Sequence, residues 1–85
     1  MKVQKWDFIN HVYEPYYIPD HYNTPLYTID MEEVVNCAGC GTRIKYGQCY
    51  TSMTIHNNAG LGYPVCDECY QKEWRIRTRG EQYDQ

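Results

Sequence analysis

The sequence reads CAGC at residues 37–40 and CDEC at residues 66–69. Each motif has two residues between its thiols, and the segment between the motifs is long enough for a β-hairpin. Zinc prefers a tetrahedron of soft ligands, and two such loops can bring four sulfurs to one point. The spacing therefore predicts one structural Zn²⁺ ion, bound by Cys37, Cys40, Cys66 and Cys69.

The surroundings of the two motifs differ. Gly39 and Gly41 flank Cys40 and allow the tight turn, with positive φ where needed, that bends a backbone around a metal ion. The first motif is therefore interpreted as a zinc knuckle that opens a hairpin. The second motif continues into a helical segment that Gly80 is placed to end. Residues three apart share one helix face, so both thiols of the second motif can point the same way from the first turn.

A knuckle, a β-hairpin and a C-terminal helix, in this order, predict a small α+β zinc-bound domain. The segment resembles the treble-clef four-cysteine zinc fingers found in small bacterial and bacteriophage proteins. The residues that carry this resemblance are the four cysteines with Gly41, Ile44, Gly47, Tyr50 and Val65. The resemblance covers residues 36–79 and implies a fold with one structural zinc. It places the finger at residues 37–80 and leaves residues 81–85 as a disordered tail.

Other interpretations of the cysteines remain open. Two disulfides would need an oxidising compartment, but residues 1–10 mix charged and aromatic residues and lack the apolar core of a signal peptide. A thioredoxin-like redox pair would need only one motif and a βαβ context. A rubredoxin-type iron site uses two knuckles, and the second motif lacks the glycine of a knuckle. The fifth cysteine, Cys49, is expected to be a half-buried strand residue, with a role as a metal ligand as the minor alternative.

The composition agrees with a fold held by a metal ion. Leu, Ile, Val and Phe together account for 14 of 85 residues, whereas Tyr alone accounts for 10. Tyrosine buries a large ring but keeps a polar tip. Because a chain of this size with so few aliphatic residues is marginal on its own, metal binding should supply much of the folding free energy. We expect the metal-free chain to be mostly unfolded around the metal site.

Charge and hydropathy limit the partners. The formal net charge is −3, and four thiolates with one Zn²⁺ ion would change it to −5. This disfavours non-specific binding of nucleic acid by the molecule as a whole. No apolar run is long enough to span a bilayer. A cytoplasmic protein without membrane contact is expected.

Residues 1–36 form a different kind of sequence. They hold three of the four prolines and seven of the aromatic residues. The proline spacing excludes a continuous helix and predicts an irregular, extended and turn-rich arm. The arm either packs on the finger or exposes rings that bind a partner, because Tyr and Trp are preferred at interfaces. The candidate partner-binding rings are Tyr13, Tyr16, Tyr17, Tyr22 and Tyr27.

Strands are predicted at residues 43–46 and 49–55, paired around Gly47. Residues 56–60 read HNNAG and predict a turn, in which His56 would be a solvated residue. Residues 61–65 then lead into the second cysteine motif.

The helix that follows carries four basic residues and Glu73 over residues 70–80, which gives a local charge of +3. Its candidate partner-binding residues are Lys72, Arg75 and Arg79, which could instead form an ordinary solvated face.

Three functions are compatible with these features. The favoured one is a small zinc-stabilised protein-interaction module, a regulator or adaptor that binds another protein. Gin-type anti-sigma factors are similar in size and in their two C-x-x-C motifs, which implies a regulatory role. The alternative is a nucleic-acid-binding finger that uses the basic helix. The sequence does not specify the oligomeric state.

A degenerate HNH-type nuclease is the remote alternative. HNH nucleases resemble this chain in their cysteine framework, but they carry a histidine pair near the hairpin and commonly a histidine after the last cysteine. Here Ile55 precedes His56, and Tyr70 follows Cys69. A single histidine cannot both hold a catalytic metal and activate water. Because a zinc ion with four cysteine ligands has no open position, no enzymatic activity is expected.

Overall fold

The computed structural model describes residues 1–83, and the side chains of residues 1–77. Within that range the chain forms six strands and one α-helix, with a 3₁₀ turn at Tyr46–Gln48. The elements are β1 (Lys2–Asp7), β2 (Val12–Tyr17), β3 (Val34–Asn36), β4 (Arg43–Lys45), β5 (Tyr50–His56), β6 (Gly62–Val65) and α1 (Asp67–Tyr83). The predicted α+β class with a C-terminal helix is confirmed.

The strands form two antiparallel sheets. The larger sheet has the order β2-β1-β5-β6, and the smaller one pairs β3 with β4 across the first cysteine motif. Helix α1 packs against β5, a central strand of the larger sheet. The first cysteine motif therefore lies in the connection between β3 and β4, while the second lies at the junction of β6 and α1.

The prediction of an irregular arm over residues 1–36 was wrong for its first half. Strands β1 and β2 pair along their full length, from Lys2↔Tyr17 to Asp7↔Val12. Strand β1 also pairs with β5, so the hairpin belongs to the main sheet. Pro15 lies in β2, which is an edge strand, and proline is tolerated there because an edge strand does not need all its N–H donors. Residues 18–33, in contrast, contain no strand or helix.

Asp7 closes the loop between β1 and β2. Its Oδ1 accepts hydrogen bonds from the backbone N–H of Ile9 (2.9 Å) and Asn10 (3.2 Å), and its Oδ2 accepts one from Asn10 Nδ2 (2.7 Å). The Asn10 side-chain hydrogen bond is the main cause that lowers the pKa of Asp7. His11 adopts a φ of 56°, in the left-handed region that histidine enters more readily than most residues. These bonds fix the loop that carries Phe8 and Ile9.

The predicted pairing of residues 43–46 with residues 49–55 was also wrong. Both strands exist, but β4 pairs with β3, and β5 pairs with β6 and β1. The backbone N–H groups of Tyr46 and Gly47 donate to the carbonyls of Glu33 (2.8 Å) and Met31 (2.9 Å). These bonds hold the chain beside the segment that precedes β3 and direct it away from β4. The hairpin between the cysteine motifs is therefore β5–β6, joined by the predicted turn, in which Asn57 Oδ1 accepts from the N–H of Ala59.

Helix α1 continues past its predicted end at Gly80 and includes residues 81–83, which were expected to belong to a disordered tail. Glycine inside a helix costs only about 1 kcal/mol relative to alanine, and no proline follows to stop the helix. The last two residues of the predicted tail lie outside the described residues.

No helix in the part of the chain that the structure describes is long and apolar enough to cross a membrane.

The core joins the hairpin to the cysteine motifs. Its buried residues are Val3, Ile18, Cys37, Ala38, Ile55, Tyr63 and Val65. One of the four predicted ligand residues, Cys37, is therefore itself a core side chain. The N-terminal hairpin and the segment after it pack directly on the residues that position the thiols.

Candidate metal centre

The four predicted cysteines lie close together. Their Sγ atoms are all within 4.8 Å of one another, and the Sγ atoms of Cys40 and Cys66 are 3.7 Å apart. A tetrahedral site with zinc–sulfur bonds of about 2.3 Å has sulfur–sulfur edges of about 3.8 Å. The cluster is therefore compatible with one metal ion bound by Cys37, Cys40, Cys66 and Cys69.

Two glycines permit the first cysteine turn. The turn is closed by hydrogen bonds from Gly41 N to Cys37 O (2.8 Å) and from Cys37 N to Thr42 O (2.8 Å). Gly41 has a φ of 83°, a conformation that other residues adopt only with strain. A Cβ atom on Gly39 would lie 3.0 Å from the Sγ of Cys69, inside the thiol cluster. The predicted role of these glycines is confirmed.

Backbone N–H groups converge on the buried thiol of Cys37. Its Sγ accepts hydrogen bonds from the N–H of Gly39 (3.3 Å), Cys40 (3.4 Å) and Cys66 (3.3 Å). Hydrogen bonds to the charged form of a group favour that form. The peptide groups of both motifs therefore compensate negative charge at a sulfur that water does not reach.

The thiols differ in acidity. Partial burial acts to raise the pKa of Cys40, but hydrogen bonds from Thr42, whose Oγ1 lies 3.0 Å from the sulfur, and from neighbouring thiols lower it to about 6. Burial raises the pKa of both Cys66 and Cys69. Because a metal ion binds thiolates, metal binding at neutral pH has to displace protons from these two residues.

The second motif uses the start of α1. Cys66 immediately precedes the helix and Cys69 lies in its first turn, where Tyr70 N donates to Cys66 O (3.0 Å). The positive end of the helix dipole favours negative charge, which suits thiolates and the acidic residues Asp67 and Glu68 of the first turn. The prediction that both thiols point from one end of the helix is confirmed by their place in the cluster.

The remaining cysteine and His56 lie outside the cluster. Cys49 is half-buried, as predicted, but it lies just before β5 and not in a strand; burial raises its pKa. All five cysteines are free, so disulfides receive no support. His56 is the last residue of β5 and is only half-exposed, which corrects its assignment to a solvated turn. Its Nε2 lies 2.9 Å from Met53 O, within its own strand.

The five candidate tyrosines divide into two groups. Tyr13, Tyr17 and Tyr27 are 51%, 70% and 75% exposed, and the Tyr13 ring meets the rings of Trp6 and His56 edge-on. Tyr16 and Tyr22 are half-buried against the core. The Tyr16 hydroxyl lies 3.4 Å from the carbonyl oxygens of Ala38 and Gly39, so this ring supports the first cysteine turn.

The candidate cations lie along α1. Lys72 and Arg75 are exposed, and Lys72 Nζ is 3.8 Å from Glu68 Oε1. The side chain of Arg79 lies outside the described residues.

One cluster was missed by the sequence analysis. We call it the aromatic patch; its members are Tyr50, Met53, Tyr70, Trp74 and Arg77. The rings of Tyr50 and Tyr70 stack at 4.8 Å, and Trp74 meets Tyr70 edge-on at 6.3 Å. The Arg77 guanidinium lies 5.2 Å from the Trp74 ring centre, and its Nη1 is 3.8 Å from Met53 Sδ. The helical spacing of 70, 74 and 77 was a usable signal, but Tyr50 could be added only once the position of β5 was known.

Glu73 was also missed, because its charge suggested a solvated position. It is only 7% exposed, and its Oε1 faces β5. That oxygen accepts hydrogen bonds from Ser52 Oγ (2.6 Å), Met53 N (2.9 Å), Thr54 N (2.9 Å) and Thr54 Oγ1 (2.8 Å). The other carboxyl oxygen, Oε2, is buried without a hydrogen-bond partner among the residues that the structure describes. One side chain therefore attaches α1 to β5, one turn after Cys69.

No protein-family model, no curated protein and no solved structure matches this chain.

Proposed function

We propose that the chain is a treble-clef zinc finger with a structural metal ion. The order of elements supports this assignment: β3, the first cysteine turn and β4 are followed by the β5–β6 hairpin and then by α1 with the second motif. Four sulfurs around one point suit Zn²⁺, and one turn plus one helix start differ from the two knuckles of a rubredoxin-type iron site. With four cysteine ligands the ion has no open position, so its role is to hold the fold.

We further propose that this finger is a protein-interaction module that acts as a regulator or adaptor. The observation that carries this proposal is the aromatic patch, in which Tyr50 is 43% and Trp74 is 41% exposed although their rings are packed together. Tyr, Trp, Met and Arg are the residues enriched where proteins bind one another. Because the rings hold each other in place, little side-chain freedom would be lost on binding.

The charges beside the patch indicate the chemistry of the partner. Lys72 and Arg75 are exposed on the same helix, whereas the chain as a whole has a net charge of −3. A partner with an apolar surface and acidic residues at its edge would be attracted to this helix and repelled elsewhere. The partner would therefore present an acidic surface to α1.

Nucleic-acid binding is the second candidate, because exposed rings with Arg77 beside them could also stack bases. On duplex DNA, log K would then fall by about 0.9 per phosphate contact as log salt rises. Lys72, Arg75 and Arg79 with Arg77 would give a slope of roughly −3 to −4, and Arg75→Ala would reduce it by about one. We expect instead no duplex binding tighter than about 10⁻⁴–10⁻⁶ M at physiological salt, because the acidic remainder of the chain repels phosphate.

Capture from a nuclease-treated bacterial lysate tests the proposal. The baits are the zinc-loaded chain, Trp74→Ser in the patch, and Tyr27→Ser, an exposed aromatic outside it. A protein retained by the chain is then purified and its affinity measured directly. We expect Trp74→Ser to weaken binding at least about tenfold, since buried Trp anchors commonly contribute 2 kcal/mol or more, and Tyr27→Ser to change it less than about twofold. Equal affinities for all three baits, or capture that requires nucleic acid, would contradict the proposal.

A further inference from the structure

The four thiols of the cluster differ in their access to solvent. Cys40 is exposed, whereas Cys37 has no exposed surface and Cys66 and Cys69 are half-buried. A Cβ atom on Gly39 would lie 3.0 Å from the Sγ of Cys69, so the backbone of the first motif lies against that sulfur. A small reagent in solution therefore meets Cys40 first.

The two thiols of the first motif also differ in their hydrogen bonds. Three backbone N–H groups donate to the Sγ of Cys37. These bonds engage the lone pairs that a sulfur needs in order to act as a nucleophile. The Sγ of Cys40 instead lies 3.0 Å from the hydroxyl of Thr42, an exposed residue. Burial and hydrogen bonding therefore both protect Cys37 and leave Cys40 as the reactive sulfur of this motif.

Cys66 is the thiol placed to react with an oxidised Cys40. The Sγ atoms of these two residues are 3.7 Å apart, close enough for one sulfur to attack the other after a small side-chain rotation. Cys40 belongs to the connection between β3 and β4, and Cys66 directly precedes α1. A bond between them would join the same two elements that the proposed metal ion joins.

We propose that Cys40 is an oxidation site, at which hydrogen peroxide produces a Cys40–Cys66 disulfide and the metal ion is released. The Cys40 thiolate attacks one peroxide oxygen, which breaks the O–O bond and gives a sulfenic acid and one hydroxide ion. The Cys66 thiolate then attacks the Cys40 sulfur, and a second hydroxide ion leaves as the S–S bond forms. Two thiolates lose two electrons in total, and one peroxide molecule is reduced to two hydroxide ions.

This inference rests on the proposed function and adds a form of regulation to it. A metal ion binds thiolates, so a disulfide between Cys40 and Cys66 removes two of the four ligands. Helix α1 begins directly after Cys66 and carries Tyr70 and Trp74 of the aromatic patch. Oxidation therefore acts on the element that presents the proposed partner surface, and reduction by a thiol restores both ligands.

Disulfide mapping tests which sulfurs react. The full zinc-loaded chain is treated with one equivalent of hydrogen peroxide, the remaining thiols are alkylated, and tandem mass spectrometry locates the disulfide that forms first. We expect the Cys40–Cys66 disulfide to exceed every other pairing at least about tenfold at early times. A first disulfide within either motif, or one that includes Cys49, would overturn the proposal.

Metal release is followed in the same reaction with a chromogenic zinc indicator. We expect one zinc ion to be released for each disulfide formed, and to be bound again after reduction with dithiothreitol. Cys49→Ser is the control, because Cys49 lies outside the cluster, and it should release zinc at an unchanged rate. Release of zinc without a disulfide, or a Cys40–Cys66 disulfide in a chain that keeps its zinc, would contradict the proposal.

A second measurement uses no oxidant and therefore tests access alone. In the zinc-loaded Cys49→Ser chain, a limiting amount of N-ethylmaleimide should label Cys40 at least about tenfold faster than Cys37. Equal labelling of the four thiols would overturn the assignment of Cys40. Elemental analysis before either reaction separates the two proposals: a folded chain without zinc contradicts the proposed function, whereas a zinc-loaded chain with a different reactive thiol contradicts the oxidation site alone.

Discussion

The N-terminal hairpin and the half of the molecule that holds the four-cysteine cluster are built in different ways. Residues 2–17 form two strands that pair along their full length and join β5. Strands β3 and β4 are only three residues long, and the cysteine turn between them converges with the start of α1 on four sulfur atoms. The hairpin is thus a product of backbone pairing, whereas the proposed zinc ligation would hold the other half.

The two halves nevertheless share one core. Val3 and Ile18 of the N-terminal part pack with Cys37 and Val65 beside the four-cysteine cluster. A domain of this size has a small margin of stability, of about 5–15 kcal/mol. We therefore expect that loss of the metal ion unfolds the hairpin as well, whereas a destabilising substitution in the hairpin need not release the metal ion.

The largest expected effect is that of Cys37→Ser. A structural zinc site contributes on the order of 10–16 kcal/mol of apparent binding free energy, which exceeds the stability of most small domains. We expect this variant to lose the near-UV circular dichroism of its aromatic residues and the dispersion of its amide NMR signals, including those of the hairpin. Chelation of the wild-type metal should do the same, and added zinc should reverse it.

Cys49→Ser is the matched control, because Cys49 is a half-buried thiol outside the cluster. It should bind one zinc ion and change the free energy of unfolding by no more than about 1 kcal/mol. A Cys37→Ser chain that still melted cooperatively near the wild-type midpoint would show that the shared core is sufficient without the metal.

The next largest effect is expected from a decrease in pH, which acts on the four-cysteine half. Burial raises the pKa of Cys66 and Cys69, so both keep their protons at neutral pH until a metal ion displaces them. Lower pH favours the protonated metal-free state, and the affinity for zinc therefore falls as pH decreases. Each released proton contributes about tenfold per pH unit, so these two thiols alone correspond to at least about 100-fold between pH 8 and 7. Competition with a chelator, corrected for its own protonation, measures this slope; an affinity independent of pH would contradict thiolate ligation.

Glu73→Ala should have a smaller effect, because it cuts a link between α1 and the sheet but leaves the thiols in place. Four donors from β5, including the buried hydroxyls of Ser52 and Thr54, would lose their acceptor. We expect chemical denaturation to show a loss of about 2–4 kcal/mol in the free energy of unfolding. Glu68→Ala on the same helix removes an exposed carboxylate and should cost no more than about 0.5 kcal/mol. Equal losses would mean that Glu73 does not anchor the helix.

Val3→Ala is the smallest change and acts on the hairpin side. Val3 is only 3% exposed and belongs to the shared core. Removal of its two methyl groups should lower the free energy of unfolding by about 1.5–2.5 kcal/mol, including the cavity left behind. Elemental analysis should still find one zinc per folded chain. If this variant lost zinc, a substitution in the hairpin would also release the metal ion, which contradicts the expected difference between the halves.

The same two halves differ in how well the sequence predicts them. The thiol cluster, the α+β class and the helix that follows Cys66 were predictable, because C-x-x-C spacing and helical periodicity are local patterns. The β1–β2 hairpin was not, since Pro15 argues against a strand unless its edge position is known. The partner of β4 depended on bonds from Tyr46 and Gly47 to residues far back in the chain.

Glu73 and the aromatic patch show the same limit. A glutamate on a basic helix indicates a solvated position, and only the donors of β5 make its burial favourable. The stacking of Tyr50 on Tyr70 likewise needs strand and helix in place. Groups that acquire their role from contacts between distant elements carry no local signature.

X-ray absorption at the zinc edge, together with elemental analysis of chain purified without chelator, tests the central claim most directly. The account predicts one zinc ion per chain with four sulfur ligands at about 2.3 Å and no nitrogen or oxygen in its coordination shell. The spectrum should be identical in Cys49→Ser and absent in Cys37→Ser. Folded protein without metal, an iron ion in place of zinc, or a shell with fewer than four sulfurs would contradict the account.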